Sequence, residues 1–250
     1  MPPKSYTQSP VAHAAMYNRI GRERKADKIL AVLRDYFGNL KSLTLLDASC
    51  STGIMTQSFG RHFGKVVGID IDAPAVAHAR QANAGPNITY QVMDATRMRF
   101  RPARFDVVIC NQMYEHVGDS GLLMDEIHRV LKPNGVCYFG ATNRLKLIET
   151  HYGRIPLLSI MPRSWAHRVL RVLGRADAYA ETLLTMWELR RLVERFELLD
   201  WTGKVIRDPV RYRATDLFRP GGPKQKLALA ILQHAAWASP GYIWLLRKSV

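Results

Sequence analysis

Cysteine is scarce: there are three in 250 residues, Cys50, Cys110 and Cys137. So odd and sparse a set excludes a disulfide framework. Each lies in or just after an apolar run, where a small buried thiol in a reducing compartment is expected. Long hydrophobic runs are lacking too. No stretch reaches the roughly 18 apolar residues that cross a bilayer. The opening residues, Met1 to Tyr6, hold no apolar signal core, so a cytoplasmic protein is expected. Acidic residues are few: 21 Asp and Glu face 36 Lys and Arg, a net charge of +15. That excess suits nucleic acid, an anionic membrane surface, an acidic substrate or simply a basic solvated surface, and charge alone does not choose. At 47% hydrophobic and 23% charged, the chain has the balance of a globular protein, not a disordered one. Its length suits one large α/β domain over residues 1–250 with an elaboration.

Apolar spacing then gives an element map. Ile29, Leu30, Leu33, Tyr36 and Phe37 share a helical face. Short apolar runs at Thr44–Ala48, Val66–Asp70, Ile88–Val92, Phe105–Cys110 and Val136–Phe139 read as strands. Helices are predicted through Phe59, over Pro74–Arg80, and along the Leu122, Leu123, Ile127, Val130, Leu131 stripe that Pro133 and Gly135 stop. Thr185 and Glu188 form a capping-box signature for a helix running to about Arg195. Strands near Glu197–Ile206 and Tyr242–Arg247 complete the set. The alternation predicts a Rossmann-like, doubly wound, mostly parallel seven-stranded sheet with helices on both faces. Residues 41–142 are expected to form the ligand-binding core, and residues 1–40 an N-terminal helical lid. Residues 143–180 and 207–238 interrupt the rhythm as insertions on the acceptor side, the first including a helical cap. The second carries a helix-like stretch from Leu227 to Trp237.

In a parallel sheet, ligands bind at the carboxyl ends of the strands. Four such ends carry suitable chemistry. The first ends in D-A-S-C-S-T-G, with Asp47, Ala48, Ser49, Cys50 and Gly53 as contacts. The second ends at Asp70 and Ile71, the third is followed by Asp94 and Ala95, and the fourth ends at Asn111 and Met113. A tight turn before a helix lets backbone N–H groups approach a carboxylate. An acid at the second strand end accepts ribose hydroxyls. Asp94 suits an exocyclic adenine amine, and Asp47 suits an ammonium. Together these fit an adenosyl amino acid. A nicotinamide dehydrogenase is the rival on this architecture, but its G-x-G-x-x-G turn is missing and Asp47 would repel a pyrophosphate.

From about Leu45 to Asn143 the chain resembles the class I S-adenosylmethionine-dependent methyltransferases, whose first motif usually reads D-x-G-C-G-x-G. Arg129–Gly135 resembles that family's late-core motif, and Phe105–Val108 followed by Glu115–Val117 resembles its quinone-biosynthesis and small-molecule branch. The resemblance implies S-adenosylmethionine as cofactor and S-adenosylhomocysteine as product. Ser49 and Ser51 stand where the family has glycines; each adds a Cβ near the ligand, and each also offers a hydroxyl donor. Similar enzymes lid the cofactor with an N-terminal segment, here Tyr6 to Ile20 with Tyr17 and Arg19. Some quinone O-methyltransferases hold a divalent cation with a Glu, Glu, His set; the matching positions here are Gln112, Glu115 and His116, and the glutamine lowers the charge of such a site, so no metal is expected.

Methyl transfer to a hydroxyl requires a base. The candidates are His116 with Glu115, just past the fourth strand, and Glu149 with His151, beyond the fifth. Each pair also suits a purely structural role, as a loop brace or as a partner for nearby arginines. A helix is expected over Ser164–Leu173, with Trp165, Val169, Leu170 and Leu173 on one face and His167, Arg168 and Arg171 opposite. That pattern suits either a cap over the domain or peripheral contact with an anionic membrane. The expected acceptor is a small or lipid-linked molecule, methylated at oxygen. An RNA methyltransferase and a non-catalytic adenosyl-ligand-binding relative are the alternatives. Nucleic acid loses support because Asn111 is followed by Gln112 and Met113, not by a Pro-Pro-aromatic turn, and no aromatic-rich RNA motif is present.

Overall fold

The computed structural model describes residues 16–249. In chain order the elements are α1 (Arg19–Phe37), β1 (Thr44–Asp47), α2 (Ile54–Gly60), β2 (Lys65–Asp70), α3 (Ala73–Ala82), β3 (Ile88–Val92), β4 (Phe105–Asn111) and α4 (Ser120–Val130). Then follow β5 (Leu131–Thr142), β6 (Ile148–Glu149), β7 (Ile155–Pro156), α5 (Arg163–Val172), α6 (Met186–Leu192), β8 (Glu197–Asp200), α7 (Thr202–Arg207), α8 (Pro223–His234) and β9 (Gly241–Arg247). The seven-stranded sheet has the order β3-β2-β1-β4-β5-β9-β8, and β6 with β7 makes a separate hairpin. The first five strands are parallel, and β9 runs antiparallel to both of its neighbours. Strand order reverses between β1 and β4, so the crevice opens at the carboxyl ends of those two strands.

The near-continuous apolar strands reflect burial on both faces. Successive side chains alternate, so Leu46, Val67 and Val108 pack on one side, while Leu45, Val66 and Val107 pack on the other. The second side is covered by α1, whose Ala26, Ile29, Leu30, Val32 and Leu33 are buried. Burying one Leu or Ile fully is worth about 1.5–3 kcal/mol, so Leu30→Ala or Leu33→Ala would loosen α1 from the sheet. The helical stripe predicted from Ile29 to Phe37 is thus a core face. Of the proposed lid, residues 6–15 lie outside the described residues. Its remainder meets the cofactor turn where the Thr52 hydroxyl donates to the Met16 carbonyl at 2.8 Å.

Three expectations are corrected. The strand expected over Glu197–Ile206 ends at Asp200, and Thr202–Arg207 is helical. Asp200 Oδ1 accepts from Thr202 N at 2.8 Å and turns the chain, and Val205 and Ile206 then bury on a helical face. Trp165 and Leu173 do not share the buried face of the cap helix. They are 64% and 52% exposed, because the inward face is Ala166, Val169 and Leu170, one step round the helix. The helix expected over Leu227–Trp237 instead starts at Pro223, a residue suited to the first turn, and ends at His234. The capping box at Thr185 and Glu188 forms as expected. All three cysteines are buried free thiols.

Candidate active site

The β1–α2 turn is built around two buried acids. Asp47 is 3% exposed, and its Oδ2 accepts from Thr56 Oγ1 at 2.7 Å. Burial, with the nearby Asp70 charge, pushes its carboxyl up to about 6. Asp70 closes the turn from β2: Ser51 N donates to Oδ2 at 2.8 Å and Asp72 N to Oδ1 at 3.0 Å. Each oxygen retains a lone pair for a further donor, as two ribose hydroxyls require. Burial raises the Asp70 pKa as well.

The two serine positions differ. Ser51 adopts φ +49°, the left-handed region that glycine occupies at no cost, and its buried Oγ has no hydrogen-bond partner among the described residues. A buried hydroxyl without a partner costs about 1–3 kcal/mol, which an incoming carboxylate oxygen would recover. Ser49, by contrast, lies outside the left-handed region. Gly53, at φ +81°, cannot be exchanged: a Cβ there would lie 2.7 Å from Ala79 Cβ and 2.8 Å from the Tyr90 hydroxyl. Ala48 and Cys50 are buried beside this turn, and Cys50 N donates to the Ile69 carbonyl at 2.9 Å.

The remaining cofactor candidates line the same edge. Ile71 is 49% exposed just past Asp70. Asp94 Oδ1 accepts from Thr96 N and Oγ1, and Ala95 is buried behind it. Asn111 ends β4 against Gly140, where a Cβ would lie 2.1 Å from Asn111 Oδ1; only glycine admits that side chain. Met113 is 9% exposed. Tyr17 packs edge-on to His78 of α3 at 5.2 Å, and Arg19 holds Asn83 Oδ1 at 2.8 Å.

The four candidate catalytic residues come together. Glu115 and His116 lie in a 3₁₀ turn after β4, while Glu149 and His151 come from the hairpin after β5. The His116 and His151 rings meet edge to face at 5.5 Å. Burial and the neighbouring His151 push His116 down to about 3, so it stays neutral near pH 7. Glu149 is fully buried. Its Oε1 accepts from Lys146 Nζ at 2.9 Å and from His151 N at 3.0 Å, and it bonds His151 Nδ1 at 2.7 Å; its Oε2 accepts from the Tyr179 hydroxyl at 2.8 Å. Burial alone would raise the Glu149 pKa, but the His151 and Lys146 partners pull it well below the usual range. A carboxylate only accepts, so His151 carries a proton on Nδ1 toward Glu149, and the neutral ring with that tautomer offers its lone pair at Nε2.

Gln112 does not join Glu115 and His116. It turns out at φ +52° and accepts from Lys25 Nζ at 2.9 Å. His151 takes its place: donor atoms of Glu115, His116 and His151 all lie within 4.8 Å of one another. Glu115 is 1% exposed, burial raises its pKa, and its Oε2 has no hydrogen-bond partner among the described residues. Thr56, Lys146 and Tyr179 were not singled out from the sequence. Lys146 and Glu149 are spaced i, i+3, a legible charge pair, whereas Tyr179 reaches Glu149 from 30 positions away with no local signal.

A family profile described as a methyltransferase domain matches residues 46–139. A ubiquinone biosynthesis O-methyltransferase of Pseudomonas syringae pv. tomato is 35% identical over 134 residues, 52% of this chain and 58% of that protein. Another, of Pseudomonas paraeruginosa, is 35% identical over 113 residues, 44% of this chain and 49% of that protein. The chain therefore spans about half the length of the curated relatives it matches. Among solved structures, the methyltransferase complexed with the Haloferax volcanii Trm112 activator aligns with a TM-score of 0.58 at 16% identity, covering 97% of this chain and 99% of that one. The geranyl diphosphate C-methyltransferase of Streptomyces coelicolor aligns at 0.51 and 18% identity, covering 88% and 76%. At those identities the structures speak for the fold. With the domain match and the curated relatives beside them, residues 46–139 carry a methyltransferase domain similar to that of the class I S-adenosylmethionine-dependent methyltransferases.

Proposed function

We propose that the chain transfers a methyl group from S-adenosylmethionine to an oxygen of a small or lipid-linked acceptor and releases S-adenosylhomocysteine. The array of Asp47, the Ser49–Gly53 turn, Asp70 and Asp94 at consecutive strand ends carries the cofactor reading. Asp47 receives the ammonium, the turn with the Ser51 hydroxyl receives the carboxylate, Asp70 the ribose and Asp94 the adenine amine. The residues on the acceptor side of that crevice would then be His116, in the turn after β4, and His151, in the hairpin after β5. Positioning supplies most of the rate for such an in-line displacement.

The Glu149–His151 pair favours oxygen. A hydroxyl loses its proton on methylation, and His151 Nε2 accepts it while Glu149 fixes the ring and stabilises the imidazolium. His151→Ala should lower kcat by about 100-fold or more with S-adenosylhomocysteine affinity unchanged. A second reading rests on the unpartnered Glu115 Oε2: with His116 and His151 it offers a donor set for a divalent cation. Such an ion would polarise the acceptor oxygen. Chelation followed by elemental analysis separates the two readings, since the base reading survives metal removal.

A lipid-linked acceptor is supported by the cap. Leu147, Ile148, Leu157, Ile160, Trp165 and Val172 are exposed within one insertion, and residues 150–176 contain arginines but no acid. Each basic residue near an anionic bilayer contributes about 1 kcal/mol, which suits peripheral contact. No helix among the described residues is long and apolar enough to cross a membrane. The deciding experiment is labelled methyl transfer in cell extract, partitioned into organic-soluble and RNA fractions. Label in the organic fraction fits this reading; label in RNA refutes it. Binding without transfer to either would leave a non-catalytic relative.

A further inference from the structure

The opposite end of the sheet holds a cavity with no place in this chemistry. Its volume is about 500 Å³, and it is lined by Thr44, Lys65, Arg101, Ala103, Arg104 and Lys132. These residues stand at the amino ends of β1, β2 and β5 and in the loop entering β4. Asp70 lies five residues along β2 from Lys65, about 16 Å away at the rise of a parallel strand. An occupant of the cavity therefore neither touches the cofactor nor presents an atom to the methyl group.

Its charge is unbalanced. Four cations converge from three chain segments, β2, the loop entering β4 and β5, and the acid bound to two of the lining residues, Asp106, is already committed. It accepts from Thr44 N at 2.9 Å and from Lys132 Nζ at 2.8 Å. Lys65 and Arg101 have no hydrogen-bond or ion-pair partner for their side chains among the described residues. Arg104 lies over the Phe100 ring at 4.6 Å and the Phe105 ring at 5.3 Å, which fixes its guanidinium in place without neutralising it. Like charges gathered this way repel unless an anion joins them. A cavity of this volume exceeds one carboxylate, and a chain of phosphates can reach several cations at once. Phe100 and Phe105 are buried, so no ring is left for a nucleobase to stack on. No exposed large apolar residue lines the cavity for a lipid.

We propose that this cavity binds a small soluble anion carrying a di- or triphosphate group, with Lys65, Arg101 and Arg104 as its contacts. The site is independent of the methyl-transfer reading and stands whether or not that reading holds.

The probe is inorganic pyrophosphate, titrated into the full chain by calorimetry at physiological salt. Wild type should show saturable binding at a single site. Lys65→Glu combined with Arg101→Glu should weaken it by at least about tenfold, and the milder pair Lys65→Gln with Arg101→Gln should also weaken it. Arg168→Glu with Arg171→Glu, an equal charge change on α5, should leave it unchanged. S-adenosylhomocysteine should bind all four proteins equally and should not displace pyrophosphate. An equal loss in the α5 variant would reduce the effect to bulk charge and overturn the site. So would the absence of saturation at millimolar pyrophosphate, or binding through the same residues only to phosphatidic acid vesicles or only to single-stranded RNA.

Discussion

Exchanging Asp47 for Asn separates two consequences of one buried carboxylate. Burial penalises the Asp47 charge and pushes its carboxyl up to about 6 in the folded protein, from an ordinary value of 3.8. Between those values the folded state binds more protons than the unfolded chain. Stability contributed by this group therefore falls as pH rises through that window, and the loss is complete above about pH 6. The gap corresponds to about 3 kcal/mol, an order-of-magnitude figure. An amide removes the charge and keeps an oxygen for the Thr56 hydroxyl. Ligand-free Asp47→Asn should thus be more stable than wild type by up to about 3 kcal/mol near pH 7.5, or about 6–12 °C in Tm for a chain of this size. The advantage should shrink towards zero near pH 4. Cofactor affinity should move the other way, because the ammonium loses its counter-charge. Thermal melts of both proteins across pH 4–8, with and without S-adenosylhomocysteine, measure all of this. A difference independent of pH, or a variant less stable at pH 7.5, would refute the reasoning.

Three further outcomes are expected. Ser51→Gly should relieve the left-handed backbone and raise ligand-free stability by about 1 kcal/mol, yet weaken S-adenosylhomocysteine binding by a similar amount, read from melts and calorimetry. Gly53→Ala should destabilise by about 1–3 kcal/mol in denaturant titration and abolish binding, because the new Cβ meets Ala79 and Tyr90. Lys146→Met should cost about 3–5 kcal/mol by leaving the buried Glu149 carboxylate without its ammonium; a loss under 1 kcal/mol would mean that His151 alone suffices.

The parallel core was legible because it is locally encoded. Apolar runs at Leu45, Val66 and Val107 announce strands buried on both faces, and an acid ends β1 and β2 and follows β3 by two residues. Asp47, Asp70 and Asp94 were candidates for that reason. The insertions were less legible. Trp165 and Leu173 read by helical spacing as one face with Val169 and Leu170, but Ala166, Val169 and Leu170 take the inward face, a choice set by the partner surface and not by the helix. The strand expected to run on to Ile206 stopped at Asp200 because a side-chain bond to Thr202 N turned the backbone. His151 replaces Gln112 beside Glu115 and His116 through a hairpin that brings distant residues together, and spacing along the chain carries no trace of that.

The central claim is the cofactor crevice, and S-adenosylhomocysteine calorimetry on the full chain tests it most directly. Wild type should bind saturably, and Asp70→Ala should bind about 1–3 kcal/mol more weakly, through lost hydrogen bonds to the ribose and a loosened Ser51 turn. Failure of wild type to bind either S-adenosylmethionine or S-adenosylhomocysteine at millimolar concentration, or full affinity in Asp70→Ala, would contradict the account.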